Sequence, residues 1–130
     1  MVDESGSIGS SDFDLMKSFL SKLVGRLNID DGYTRVGLVT YSSDVGTKIN
    51  MNAHSSVASL QSAISSLRYS GGSTDTAAAL AYVRTWMLTP ASGDRSNVPN
   101  VVVVLTDGQS DNSAAMQVSI NFIVVECFCR

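Results

Sequence analysis

Residues 101–105, Val-Val-Val-Val-Leu, form an unbroken apolar run that stops abruptly at Thr106-Asp107-Gly108. A strand without polar alternation has both faces covered, which is the habit of sheets flanked by helices on two sides. Residues 120–125 read the same way. Residues 36–41 are β-rich between Asp30-Asp31-Gly32 and Ser42-Ser43-Asp44, and residues 47–51 read as a short neighbouring strand.

Between these strands lie helical patterns. Phe13, Met16, Leu20, Leu23 and Leu27 recur at spacings of three and four behind Ser10, Ser11 and Asp12, which predicts a capped amphipathic helix fading into residues 28–32. Val57, Leu60, Ile64 and Leu67 mark a second helix. Residues 74–88 follow the Ser70-Gly71-Gly72-Ser73 loop and are apolar around most of a helical circumference, so a third helix should be well buried. Residues 90–99 form a polar connection. Strands alternating with helices predict a three-layer α/β sandwich, a doubly wound and mostly parallel sheet with helices on both faces.

In such sheets ligands bind outside the carboxyl ends of the strands, where strand order reverses. Asp3 follows the stub of a first strand, Thr74 opens a helix after a glycine loop, and Asp107 closes the 101–105 run. Asp3, Ser5 and Ser7 put a carboxylate and two hydroxyls on alternate residues, so one loop can aim three oxygens at one point. Gly6 and Gly9 let that loop turn tightly, and the helix beginning near Ser11 places its positive end nearby. Oxygen-only donors suit Mg²⁺, Mn²⁺ or Ca²⁺ rather than zinc or copper. Two carboxylates among five ligands leave an ion that attracts an external carboxylate.

Each of these residues also has a plainer use. Asp, Ser and Gly favour helix-capping turns by themselves, Thr74 and Thr76 are natural caps, and Asp107-Gly108 is a turn signal. Trp86, Tyr82, Tyr69 and Tyr41 read as core or half-buried residues, and His54 as a loop residue.

The segments Asp3-x-Ser5-x-Ser7, Gly-Gly-Ser-Thr74-Asp-Thr76 and Leu-Thr-Asp107-Gly resemble the metal-ion-dependent adhesion site of von Willebrand factor type A domains, in the style of matrilins and collagen-associated matrix proteins. The resemblance covers residues 1–117 and leaves residues 118–130 as a divergent strand-like tail. It implies a Rossmann-like strand order of 3-2-1-4-5-6. It also implies that Ser5 and Ser7 bind an ion directly, that Asp3 and Asp107 bind directly or through water, and that Thr74 joins when ligand is bound. Glu4, Asp75, Gln109 and Ser110 become candidates for a partner-binding rim, Glu4 solvated on its edge and Asp44 and Asp75 acidic neighbours. The family begins with a full apolar strand where only Met1 and Val2 stand here, and a last strand and helix are not apparent, so the chain reads as truncated at both ends and weakened by it.

The function implied is divalent-metal-dependent binding of an extracellular matrix or cell-surface protein that offers an acidic side chain, with collagen a candidate, in a secreted, extracellular setting. No signal peptide opens this sequence. The alternatives are an intracellular scaffold of the same fold and a magnesium-dependent phosphotransferase; the second needs an Asp where Ser5 stands. No Gly-x-Ser-x-Gly elbow or phosphate loop appears and catalytic residues are absent, so an enzyme is not expected. A net charge of −3 with scattered basic residues speaks against nucleic acid. No apolar run approaches the ~20 residues of a membrane span. Cys127 and Cys129, two apart, form no obvious intrachain bridge.

Overall fold

The protein is represented by a computed structural model, which describes residues 1–107. Three strands form its sheet: β1 (Val2–Asp3), β2 (Leu38–Tyr41) and β3 (Val45–Ile49). β1 and β2 run parallel with Val2 opposite Thr40 and Asp3 opposite Tyr41, whereas β2 and β3 form an antiparallel hairpin. On the other side of β1, Val2 bridges to Leu105 in parallel sense. The order is therefore β3, β2, β1, then the segment at Leu105, the first four places of the expected 3-2-1-4-5-6.

All four residues of β2 are buried, and their alternation divides the interior in two. Leu38 and Val2 face one core with Phe13 and Val24 of α1 (Gly9–Val24) and Leu60 and Ile64 of α2 (Val57–Ser65). Val39 faces the other core, with Val83 and Met87 buried and Tyr82 and Val102 packed against them. Tyr82 ends α3 (Thr76–Tyr82), and Val83–Met87 continue it as a π-helical turn. Helices thus cover both faces of a mostly parallel sheet, which is the predicted sandwich.

Several boundaries differ from the sequence reading. α1 starts at Gly9, with no side-chain cap, rather than behind Ser10, Ser11 and Asp12. Gly9 at φ +74° makes the turn in itself, a conformation only glycine adopts freely. β3 starts two residues early because the Ser42 N–H closes the hairpin on the Asp44 carbonyl. The bulge that follows is absorbed by Thr40, whose Oγ1 accepts the Thr47 N–H at 2.7 Å.

The third helix is shorter than its apolar pattern. Asp75, not Thr74 or Thr76, caps it by accepting the Ala78 N–H, which leaves Thr74 in the loop. Near its end the Thr85 hydroxyl bonds the Ala81 carbonyl, competing for an acceptor of the regular ladder, and the chain widens into the π turn. Val83 and Met87 still face the core, but Trp86, expected to be core or half-buried, is 66% exposed.

The 101–105 run is the largest departure. Val102 packs against the core on the α3 face, while Val101 and Val103 are 59% and 47% exposed. The expectation of cover on both faces is not met at Val101 and Val103, although the run is tied to β1: Leu105 N–H bonds Met1 O, Asp3 N–H bonds Leu105 O, and the Met1 amine bonds Val103 O. The expected strand at residues 120–125, the tail at 118–130, and Cys127 and Cys129 lie outside the described residues.

The Met1 amine sits at this edge with its pKa lowered from 8.0 to about 6 by burial. Between those values the unfolded chain binds the proton that the folded chain excludes, so stability rises with pH through this window and is lost as pH falls from 8.0 towards 6. A polypeptide starting at Met1 with a free amine should gain at most about 2 to 3 kcal/mol across that range in denaturant titrations. Its N-acetylated form keeps an N–H for Val103 and should lack this component; identical pH profiles would refute the assignment.

Candidate metal centre

Asp3 ends β1 as a fully buried carboxylate. Its Oδ1 accepts the Ser5 N–H at 2.9 Å, the tight Asx-type turn that this residue type favours. Its Oδ2 accepts the Thr106 hydroxyl at 2.8 Å. Ser5 is buried too, and its Oγ lies 3.2 Å from the Oγ of exposed Ser7. Asp3, Ser5 and Ser7 therefore share one turn at the amino end of α1, as their alternate spacing predicts.

A second loop is laced onto this turn. Gly6 N–H bonds Gly72 O at 2.8 Å, Gly71 N–H bonds Glu4 O at 2.9 Å, and the Tyr69 hydroxyl bonds Ser5 O at 3.1 Å. Gly71 and Gly72 make the bend at φ +73° and +103°, and a Cβ on Gly72 would lie 2.7 Å from Ser43 Oγ. That Ser43 oxygen accepts both the N–H and the hydroxyl of Ser73 at 3.0 Å, and Asp75 N–H bonds Ser42 O at 2.8 Å. Thr74, buried, is held between these two anchors and beside the Asp3 turn.

The third segment enters through Leu105 and Thr106, whose bonds to Asp3 place exposed Asp107 next to the same turn. Tyr41, opposite Asp3 across the β1–β2 pair, reports both carboxylates. Burial is the main cause that raises its phenol pKa; the charges of Asp3 and Asp107 raise it further, and the nearby Thr76 and Thr106 hydroxyls oppose the rise. The five candidate ligands thus lie on three segments that meet at one end of the sheet.

The proposed rim fares less well. Glu4, expected on the solvated edge, is buried: its N–H continues the parallel ladder to Tyr41 O, which turns its side chain away from Asp3 and onto Gly46 and Thr40. A Cβ at position 46 would collide with the Glu4 carboxylate, so the glycine makes the room. Asp75 is engaged as the α3 cap rather than projecting to a partner. Asp44 is exposed, as expected. Gln109 and Ser110 lie outside the described residues. The sequence reading missed Thr106, Tyr69 and Ser43 as supports of the site. Thr106 sits beside Asp107 in sequence, but the partners of the other two emerge only in three dimensions.

All the converging donors are oxygens, and no Lys or Arg among the described residues pairs with buried Asp3. A buried carboxylate without a cation is costly, and a divalent ion is one natural counter-charge for it. No cluster of three His, Cys, Asp or Glu occurs among the described residues, so hydroxyls must complete any such site.

Residues 1–125 match the sequence profile of the von Willebrand factor type A domain. The chain is 38% identical over 112 residues to human collagen alpha-1(XX), covering 86% of this chain and 9% of that one. It is 40% identical over 114 residues to human collagen alpha-6(VI), covering 87% and 5%. It therefore spans a tenth or less of the length of these two relatives. In fold it is similar to proximal thread matrix protein 1 of the mussel byssus, with a TM-score of 0.83, 24% identity and coverage of 92% of this chain and 32% of that one. Another structure of that mussel protein, described as having a zinc-occupied MIDAS motif, aligns with a TM-score of 0.82 at 23% identity over 92% and 33%.

The glycine bend can be tested without any ion. Gly72→Ala forces a side chain into a positive-φ conformation against Ser43, and should lower stability by about 1 to 2 kcal/mol in denaturant unfolding. An unchanged midpoint would show that this bend does not hold the two loops together.

Proposed function

The chain belongs to the von Willebrand factor type A family, and on that premise we propose that it is a non-enzymatic binding module whose Asp3, Ser5, Ser7, Thr74 and Asp107 hold a divalent ion, Mg²⁺ foremost, for contact with a matrix protein. The observation that carries this reading is Asp3: a carboxylate fully buried at the head of the sheet, with no basic side chain among the described residues paired to it and with hydroxyl oxygens gathered round. Its collagen relatives are extracellular matrix proteins, and an extracellular location follows for this chain.

The donor chemistry orders the candidate ions. Carboxylate and hydroxyl oxygens are hard ligands that suit Mg²⁺, Mn²⁺ and Ca²⁺. The zinc reported in the mussel protein's motif supports divalent binding at such a site without making zinc the preferred ion here. When bound, the ion supplies a positive centre that a partner's carboxylate can complete. The chain's own residues set how strongly: Asp3 and Asp107 supply the negative charge, Ser5 and Ser7 add neutral oxygens, and Thr74 stands on a separate loop whose engagement can accompany the partner.

The roles divide in a measurable way. Mg²⁺ titrated calorimetrically into the folded chain should give a binding isotherm that Asp107→Ala removes. That variant alters an exposed residue and should leave the fold in place. Thr74→Ala should weaken binding to a collagen panel more than it weakens Mg²⁺ binding, since a neutral hydroxyl contributes less to ion affinity than a carboxylate. Mg²⁺ affinity untouched by Asp107→Ala, or collagen binding that persists in excess chelator, would defeat the proposal.

A further inference from the structure

Tyr41 is fully buried, and its hydroxyl oxygen is the buried side-chain polar atom that finds no hydrogen-bond partner among the described residues. Phenol hydroxyls buried in this way nearly always have a partner, so the orphan calls for an acceptor. The surroundings define which one. Val39 and Tyr41 project from the same face of β2 towards α3, and Asp3 stands opposite Tyr41 in the ladder. The hydroxyls of Thr76 and Thr106 are close, but neither closes a bond of proper length and angle with it, and the charged groups that act on the phenol are Asp3 and Asp107. Asp3 already accepts at both oxygens, from Ser5 and from Thr106.

We propose that Tyr41 is a positioning residue of the ion site, its hydroxyl donating a hydrogen bond to the Asp107 carboxylate when a divalent ion is held between Asp107 and Asp3. The proposal rests on the metal-binding reading and adds to it a residue that lies on a different strand from every candidate ligand. The rigid β2 strand would then fix the orientation of a carboxylate carried on an exposed segment. A tyrosine serves here where phenylalanine would fill the same space, because the site needs a donor at that depth. In the absence of the ion the hydroxyl is a small liability to the fold.

Tyr41→Phe separates this role from a packing role. The variant should bind Mg²⁺ about tenfold more weakly in calorimetry, the usual scale for groups that orient metal ligands. Its thermal midpoint in chelator should equal or exceed that of the wild type, since only an unpaired hydroxyl is lost. A merely structural tyrosine would do the reverse, lowering the metal-free midpoint and leaving affinity alone. Wild-type protein should also show a tyrosine ultraviolet difference band on Mg²⁺ addition that Tyr41→Phe lacks. Should the variant fail to fold, a flat wild-type spectrum still overturns the inference. Wild-type affinity retained by Tyr41→Phe, alongside loss in Asp107→Ala, overturns the role of Tyr41 alone. Absence of Mg²⁺ binding by the wild type overturns both this and the metal reading.

Discussion

Asp3 is gripped through its backbone and its side chain at once, and most of the described structure is arranged around that grip. Its N–H bonds Leu105, the next N–H bonds Tyr41, one carboxylate oxygen takes the Ser5 N–H and the other the Thr106 hydroxyl. The carboxylate thereby joins the end of β1 to the turn into α1 and to the segment leading to Asp107, while the backbone beside it pairs with β2. Such hydrogen bonds to a charged acceptor are stronger than neutral ones, and they become stronger still away from water. The same burial makes the charge expensive to leave without a counter-ion. In the proposed reading, structure and binding site share this one group.

The second loop shows how a short glycine-rich sequence becomes a fixed wall. Gly71 and Gly72 supply positive φ angles that let carbonyl and N–H groups reach Gly6 and Glu4, and Ser43 with Ser42 ties down the far side of the bend. Thr74 is consequently placed by backbone bonds made two residues before it and one residue after it. A hydroxyl placed by its neighbours in this way needs little reordering when it takes a ligand, and preorganisation of that kind favours binding.

The architecture was legible from periodicity because burial sets periodicity: Leu60 and Ile64 face α1, and the fully buried β2 sends Leu38 and Val39 into cores on opposite faces. The five candidate ligands were legible as motifs because their chemistry depends on residue type and order. What pattern could not reveal was depth and direction. Glu4 looks like a surface residue until Gly46 opens a space for it, and Trp86 looks like core until Thr85 widens the helix beneath it. The apolar run at 101–105 predicts a doubly covered strand from composition alone, but composition does not say which of its residues meet a packed neighbour, and Val102 does while Val101 and Val103 do not.

The register of β1 against β2 explains why Tyr41 and Glu4 have opposite fates although both are buried beside Asp3. Parallel pairing sets Asp3 level with Tyr41, so their side chains emerge on the α3 face, where Thr74 and Thr76 also arrive. Glu4, one residue on, must point to the opposite face, onto Gly46 and Thr40. A one-residue slip would exchange the two carboxylates, moving Glu4 to the α3 face and Asp3 to the opposite one. The bulge in the β2–β3 hairpin, closed by Thr40 on Thr47, provides the space over Gly46 that accommodates Glu4 in the observed register. A feature at the edge of the sheet thus helps to decide which of two adjacent carboxylates faces the site.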